Sequence, residues 1–367
     1  MRVAQLLPNF ASGGAERVTL DLAVGMVAAG VDVDVVVAQD QGPLRAAVPD
    51  GVRVVDLHAS RVLRMVPSLR RYLRSERPDV VISHITHTNL VASVVCRTMR
   101  PRMPLLLVHH NTLSNVARNA ATRRDRLAPR LVKHLYLRAD AVVTVSQGVA
   151  DDLVRITGLP PGHIHVLYNP VVFDRILARA AEDTGHPWLS DKTGPVLLAA
   201  GRLHPQKDFA TLLRALARLP ADHRLIILGE GELRGDLERL AGELGVAGRV
   251  DMPGFLTNPY PYMRTADALV VSSQWEGLAL GLVEAMPFDT QLVSTDCDSG
   301  PREILDDGKW GTLVPVGDTV ALAEGIARAV AAPVPARPPE AWQRFDVATV
   351  SGRYLDLIRT IVRPGAA

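Results

Sequence analysis

Short apolar runs alternate along this chain with longer stretches in which apolar residues recur every three or four positions, the pattern of helices connecting parallel strands. Up to about Asn169 the runs RVAQLL, VDVDVVVA, DVVIS, PLLLVHH, DAVVTVS and IHVLYN predict strands. PVLLAAG, RLIILG, RVDMPGF, DALVVSS and QLVSTD predict a second series, followed by helical patterns such as FATLLRALARL and LRGDLERLAGEL. The pattern lapses between Asn169-Pro170 and the region of Pro187, which sets a boundary near residues 170 to 190. The expected architecture is α/β: two doubly wound, Rossmann-like parallel-sheet domains whose strand ends face one cleft. The expected division is 1–171, 172–342, and a C-terminal helix over 343–367 that crosses back to the first domain.

With 367 residues, 47% of them hydrophobic, the chain can bury two full cores. Its two cysteines, Cys96 and Cys297, are far apart and lack metal-ligand spacing, so neither a disulfide framework nor a zinc site is expected. The N-terminus reaches a glycine turn before a signal-peptide core forms, and no apolar run approaches the roughly 18 residues that span a bilayer. The expected location is cytoplasmic, peripheral on the inner face of the cell membrane if the basic stretches dock there.

Charge is divided unevenly. Residues 1–171 carry 21 Lys and Arg against 13 Asp and Glu, and the remainder carries 20 against 26. SRVLRMVPSLRRYLRSER and NVARNAATRRDRLAPRLVKHLYLR concentrate the basic side chains. Neither has an aromatic stacking platform, so nucleic acid is not an expected partner; an anionic membrane surface fits better, with two solvated helix faces as the plainer alternative. In the second stretch Arg123, Arg124, Arg126 and Arg130 would meet the surface, and Leu127, Leu131 and Leu135 share one helical face.

Two stretches suggest phosphate. Gly13 and Gly14 follow the first strand and open a helix whose free N–H groups can hold an anion, although G-x-G-x-x-G is absent and Asp40 alone stands where that fingerprint wants an acid. In AAGRLHPQKDFATLLRAL, Arg202 and Lys207 leave a strand in a loop that opens a helix, a match for a diphosphate; a lysine at a helix start also implies an anionic partner. In SSQWEGLALGLVEAM, Glu276 lies in a loop and Glu284 on the following helix, where the two carboxylates would accept from the hydroxyls of two different polyols. The pairs Asp32/Asp34 and Asp296/Asp298 invite a metal, but the first lies at the start of its strand and no third acid is evident. No metal or other cofactor is expected.

These stretches, with GGAERVTLDLA, ADAVVTVSQGVADDL, DMPGF, STDCDSGPREIL and GTLVPVGD, resemble the retaining, GT-B-fold glycosyltransferases of family 4 over nearly the whole chain. The resemblance implies a nucleoside diphosphate sugar donor, UDP-sugar favoured, held mostly by the second domain, and a glycan or lipid-linked acceptor on the first. It implies that Glu276 contacts the donor sugar and Glu284 the ribose, with Gly277 and Leu278 beside them. Arg202 and Lys207 would neutralise the diphosphate, joined by Gly13 and Gly14. His109 would stand beside the reacting sugar, and Phe255 and Leu256 would hold the base. The chain departs from the family at Ala279, Asp289, Gln291 and Asp298, which bears on donor specificity. The alternatives are a nucleotide-sugar epimerase or hydrolase of the same fold, and a non-catalytic nucleotide-sugar-binding protein.

Overall fold

The computed structural model describes residues 1–11, 13–118 and 132–362. Arg123, Arg124, Arg126, Leu127, Arg130 and Leu131 lie outside the described residues. The chain divides into two compact units, residues 1–171 joined by the stretch from Arg344 onward, and residues 172–343.

In the first unit seven strands form one parallel sheet: β1 (Arg2–Leu7), β2 (Asp32–Val37), β3 (Val52–Asp56), β4 (Val80–Ser83), β5 (Leu105–His109), β6 (Ala141–Thr144) and β7 (Ile164–Val166). Their order is β3-β2-β1-β4-β5-β6-β7. Val3 of β1 pairs with Val33 on one side and Val80 on the other, so the strand order reverses between β1 and β4. In the second unit β8 (Val196–Ala200), β9 (Arg224–Leu228), β10 (Val250–Gly254), β11 (Ala268–Val271), β12 (Gln291–Thr295) and β13 (Thr312–Val314) lie in the order β10-β9-β8-β11-β12-β13. The same reversal falls between β8 and β11. Ligands of such sheets bind outside the carboxyl ends of the strands at these points.

Central strands are buried and mostly apolar because helices cover both faces of a parallel sheet. Leu6, Val36, Leu69, Leu73, Val95 and Leu107 form one core, and Leu197, Leu213, Ile227, Val270, Val293 and Ile326 form the other. Burying each such side chain contributes about 2 kcal/mol. Strands β3 and β13, absent from the sequence expectation, lie at sheet edges.

The helix Val347–Ile361 packs on the helix Gly14–Ala28, in the first unit. Close approach is possible because Gly25 has no side chain: a Cβ there would stand 2.0 Å from Ser351 Oγ. Where the chain returns, Val171 N–H donates to Phe345 O at 2.8 Å and Val347 N–H donates to Val171 O at 3.0 Å.

Candidate functional site

In the second unit, β8 runs into a loop carrying Arg202, a 3-10 turn Pro205–Lys207 and then the helix Phe209–Leu216. The sequence reading had this loop opening a helix whose N-terminus, with the two cations, would meet a diphosphate. Instead, the Asp208 carboxylate caps that helix, accepting from Thr211 N–H at 3.3 Å and Thr211 Oγ1 at 2.8 Å. The positive end of the helix thus already has an anion.

Lys207 does have an anionic partner, and it is Glu276: Lys207 Nζ stands 2.6 Å from Glu276 Oε1. The lysine stem lies across Gly201, where a Cβ would be 2.9 Å from Lys207 Cε. Glu276 is 5% exposed. Its Oε1 also accepts from Ser273 Oγ at 2.6 Å, whereas among the described residues Oε2 has only the Gln206 amide at 3.5 Å. Oε1 is therefore committed and Oε2 keeps most of its accepting capacity.

The loop is pinned from behind. Ser299 Oγ donates to Glu276 O at 2.5 Å, Thr295 Oγ1 to Ser273 O at 2.6 Å, and Gln206 Nε2 to Trp275 O at 2.9 Å. Gly300, at φ 95°, packs on the backbone of Gly277, Leu278 and Ala279, where a Cβ would lie 3.1 Å from Leu278 Cα. Ser273, Gln206, Thr295 and Ser299 were missed by the sequence reading, which has no local signal for side chains that pin a loop.

Arg202 is an exposed guanidinium 3.2 Å from Glu232. Glu284 sits half-buried on the helix Leu280–Ala285. Phe255, 62% exposed, and half-buried Leu256 follow the carboxyl end of β10. Asp289 and Gln291, expected to bear on donor specificity, lie elsewhere. Gln291 opens β12 at its amino end and donates to Ala332 O at 2.8 Å, and Arg337 binds the carbonyls of Phe288 and Thr290 beside them. The side chains of Gln291 and Arg337 tie down the segment that leads into β12. Asp298 is exposed, and Asp296 pairs with Arg302.

In the first unit, Gly13 is the N-cap of the helix Gly14–Ala28. A carboxylate of the protein itself stands at this glycine pair: a Cβ on Gly13 would lie 2.2 Å from Glu16 Oε2. Burial pushes the Glu16 carboxyl above its ordinary value. The seat read from the sequence as open to phosphate therefore has Glu16 over it. Asp40 pairs with Arg45 at 2.6 Å.

His109 ends β5, buried, with Nδ1 3.4 Å from the Tyr136 hydroxyl. Its Nε2 is buried and has no partner among the described residues. Burial pushes its pKa down to about 4, so the ring is neutral. His84 and His110, not singled out from the sequence, stack nearby with centroids 5.8 Å apart, and burial lowers both as well.

Asp34 is structural. Arg53 binds it through two nitrogens, at 2.8 and 2.6 Å, and the Tyr72 hydroxyl donates to it at 2.5 Å. Among the described residues no group of three or more His, Cys, Asp or Glu side chains is gathered as metal ligands, and no helix is long and apolar enough to cross a membrane.

The two units each match a family model. The Glycosyltransferase Family 4 model fits residues 12–175, and the Glycosyl transferases group 1 model fits residues 182–343. The chain is 36% identical over 196 residues to a Campylobacter jejuni N-acetylgalactosaminyltransferase acting on a diphospho-undecaprenol-linked sugar, spanning 53% of this chain and 52% of that enzyme. It is 29% identical over 327 residues to LpsE, a lipopolysaccharide core biosynthesis glycosyltransferase of Rhizobium meliloti, spanning 87% of this chain and 84% of the relative. HepE from Anabaena, solved with UDP-glucose, superposes with a TM-score of 0.82 at 20% identity, covering 98% of this chain and all of that one. The fold is thus that of the GT-B glycosyltransferases. The chain belongs to glycosyltransferase family 4.

Proposed function

We propose that this glycosyltransferase moves a sugar from a nucleoside diphosphate sugar, with UDP-sugars favoured, to a glycan or lipid-linked acceptor, retaining the configuration at the anomeric carbon. The observation that carries the reading is the Glu276 site: a buried carboxylate with one oxygen fixed by Lys207 and Ser273 and the other available for sugar hydroxyls. Lys207 and Arg202 supply positive charge for a diphosphate leaving group, Glu284 takes the ribose, and exposed Phe255 with Leu256 takes the base. Gly13 and Gly14 contribute backbone N–H groups once Glu16 moves aside. The acceptor binds the first unit, near His109.

Glu276 is held by the lysine and is poorly disposed to attack carbon, and among the described residues no second carboxylate is paired with it as an acid. A same-face transfer, in which the leaving phosphate oxygen takes the acceptor proton, needs neither. The activities of the Campylobacter and Rhizobium relatives support the acceptor class, and the UDP-glucose bound by HepE supports the donor.

The test is incubation with UDP-, GDP- and ADP-sugars, with and without a polyprenyl-diphosphate-linked glycan, reading the anomeric configuration of the product by NMR. Transfer with retention is expected. Isomerised or free sugar without acceptor would favour an epimerase or hydrolase, and nucleotide binding without turnover a non-catalytic protein.

We also propose reversible docking on an anionic membrane surface. Its support among the described residues is the stretch around the helix Val66–Glu76, where Leu63 is 71% exposed and Arg61, Arg64, Arg71, Arg74 and Arg77 surround it in sequence, all exposed.

A further inference from the structure

Asn89 lies on the helix Thr86–Thr98 and Tyr136 just before β6, and a chain of hydrogen bonds runs through both to His109. The chain of hydrogen bonds starts from an acceptor that cannot be reversed. Asn89 Nδ2 lies 3.0 Å from the carbonyl oxygen of Val108, which only accepts, so Nδ2 is the amino end of the amide. Its second proton goes to the Tyr136 hydroxyl oxygen at 2.9 Å. The tyrosine O–H is then left to donate, and its one remaining partner among the described residues is His109 Nδ1 at 3.4 Å. A neutral imidazole that accepts at Nδ1 carries its hydrogen on Nε2. That nitrogen is the one with no partner among the described residues.

The neighbouring His84 shows the contrast. Its Nε2 faces the Gln5 carbonyl oxygen at 2.9 Å, so its N–H is consumed within the protein. His109 keeps its N–H in reserve at the carboxyl end of β5.

We propose that Asn89 and Tyr136 are positioning residues that hold His109 as an Nε2–H donor toward a sugar oxygen, so that His109 orients the reacting sugar and does not take a proton from the acceptor hydroxyl. The inference rests on the transferase reading for the identity of the ligand, but the proton's location stands apart from it. Burial keeps the ring from gaining a second proton near neutral pH.

Two measurements test this. The first is the ¹⁵N spectrum of the His109 ring in the whole, unliganded protein, which reports the tautomer without any substrate. A protonated Nε2 and a bare Nδ1 are expected in the wild type, with loss of that preference in Tyr136→Phe. A protonated Nδ1 in the wild type overturns the proposal even if the protein proves to be a transferase. The second uses His109→Gln, whose amide nitrogen stands where Nε2 does, and His109→Asn, whose amide nitrogen stands where Nδ1 does.

With a UDP-sugar and acceptor, His109→Gln should keep a kcat at least about tenfold above His109→Asn, the worth of one hydrogen bond. Tyr136→Phe should lower kcat about tenfold in the wild type and have no further effect in His109→Gln, because the amide has no tautomer to set. Equal loss in Gln and Asn variants, or Tyr136→Phe acting equally in both backgrounds at unchanged melting temperature, overturns it. Absence of transfer by the wild-type protein would refute the transferase reading and leave the spectrum to decide the tautomer.

Discussion

Glu276 and Lys207 are a close pair, so each variant of one changes the other. Glu276→Ala removes a negative charge 2.6 Å from the lysine while deleting the acceptor for sugar hydroxyls. Binding of a nucleotide sugar should weaken by about 1.5 to 3 kcal/mol, the worth of a charged hydrogen bond, while binding of the free nucleoside diphosphate holds or tightens. Glu284→Ala should weaken both ligands, because both carry the ribose. Calorimetry with UDP and a UDP-sugar separates the two, and equal losses in both variants would refute the assignments. At Asp34 the question is stability. Burial raises its carboxyl pKa, but the hydrogen bonds from Arg53 and Tyr72 and the Arg53 charge outweigh it and hold the value below that of an ordinary Asp. A depressed folded pKa stabilises above the unfolded value, and the contribution is lost as pH falls through the folded one. Asp34→Asn should therefore cost about 2 kcal/mol at neutral pH and less in acid below about pH 4, read by denaturant melts across pH.

Elements differ in how much of themselves the sequence discloses. The strands Val80–Ser83 and Leu105–His109 are apolar runs because they are covered on both faces, and such runs stand out against their flanks. Val52–Asp56 is only half-buried at a sheet edge and is interrupted by exposed Arg53, and Thr312–Val314 is three residues long, so neither produces a run. The site shows the same division. Residues that leave strand ends with unusual chemistry, such as Lys207 and Glu276, are legible as candidates. Their supports are not: Ser299 is 23 residues from the carbonyl it holds, and Tyr136 is 27 from His109, separations over which no local periodicity operates. The helix packing of the first unit offers a test at this scale. Gly25→Ala would place a methyl group 2.0 Å from Ser351 Oγ and 2.9 Å from Val347 Cγ2, pushing the helix Val347–Ile361 outward. A loss of about 1 to 3 kcal/mol is expected, reduced when Ser351→Ala is added.

For the molecule as a whole, charge is distributed by unit, with the excess of arginine in the first. If that excess serves a membrane, the protein should co-sediment with vesicles containing phosphatidylglycerol and be released by salt, since each basic side chain near such a surface is worth about 1 kcal/mol. Replacing Arg61, Arg64, Arg71 and Arg74 by Gln should abolish sedimentation and spare transfer to a soluble acceptor analogue. Salt-insensitive binding, or none, would return these residues to an ordinary solvated surface.

The return of the chain through Arg344 to Val347–Ile361 has a consequence for synthesis. The first unit is discontinuous: its last helix is separated from the rest by the entire second unit. A ribosome that has released residues 1–171 has made a sheet whose helix Gly14–Ala28 still lacks its neighbour, while residues 172–343 form a contiguous unit able to close as soon as they emerge. The half made first is therefore finished last. Expressed alone, residues 1–171 should be proteolytically sensitive and prone to self-association, and a peptide of residues 344–362 supplied in trans should restore protection, read by limited proteolysis. Protection of the fragment without the peptide would show that the early half matures unaided.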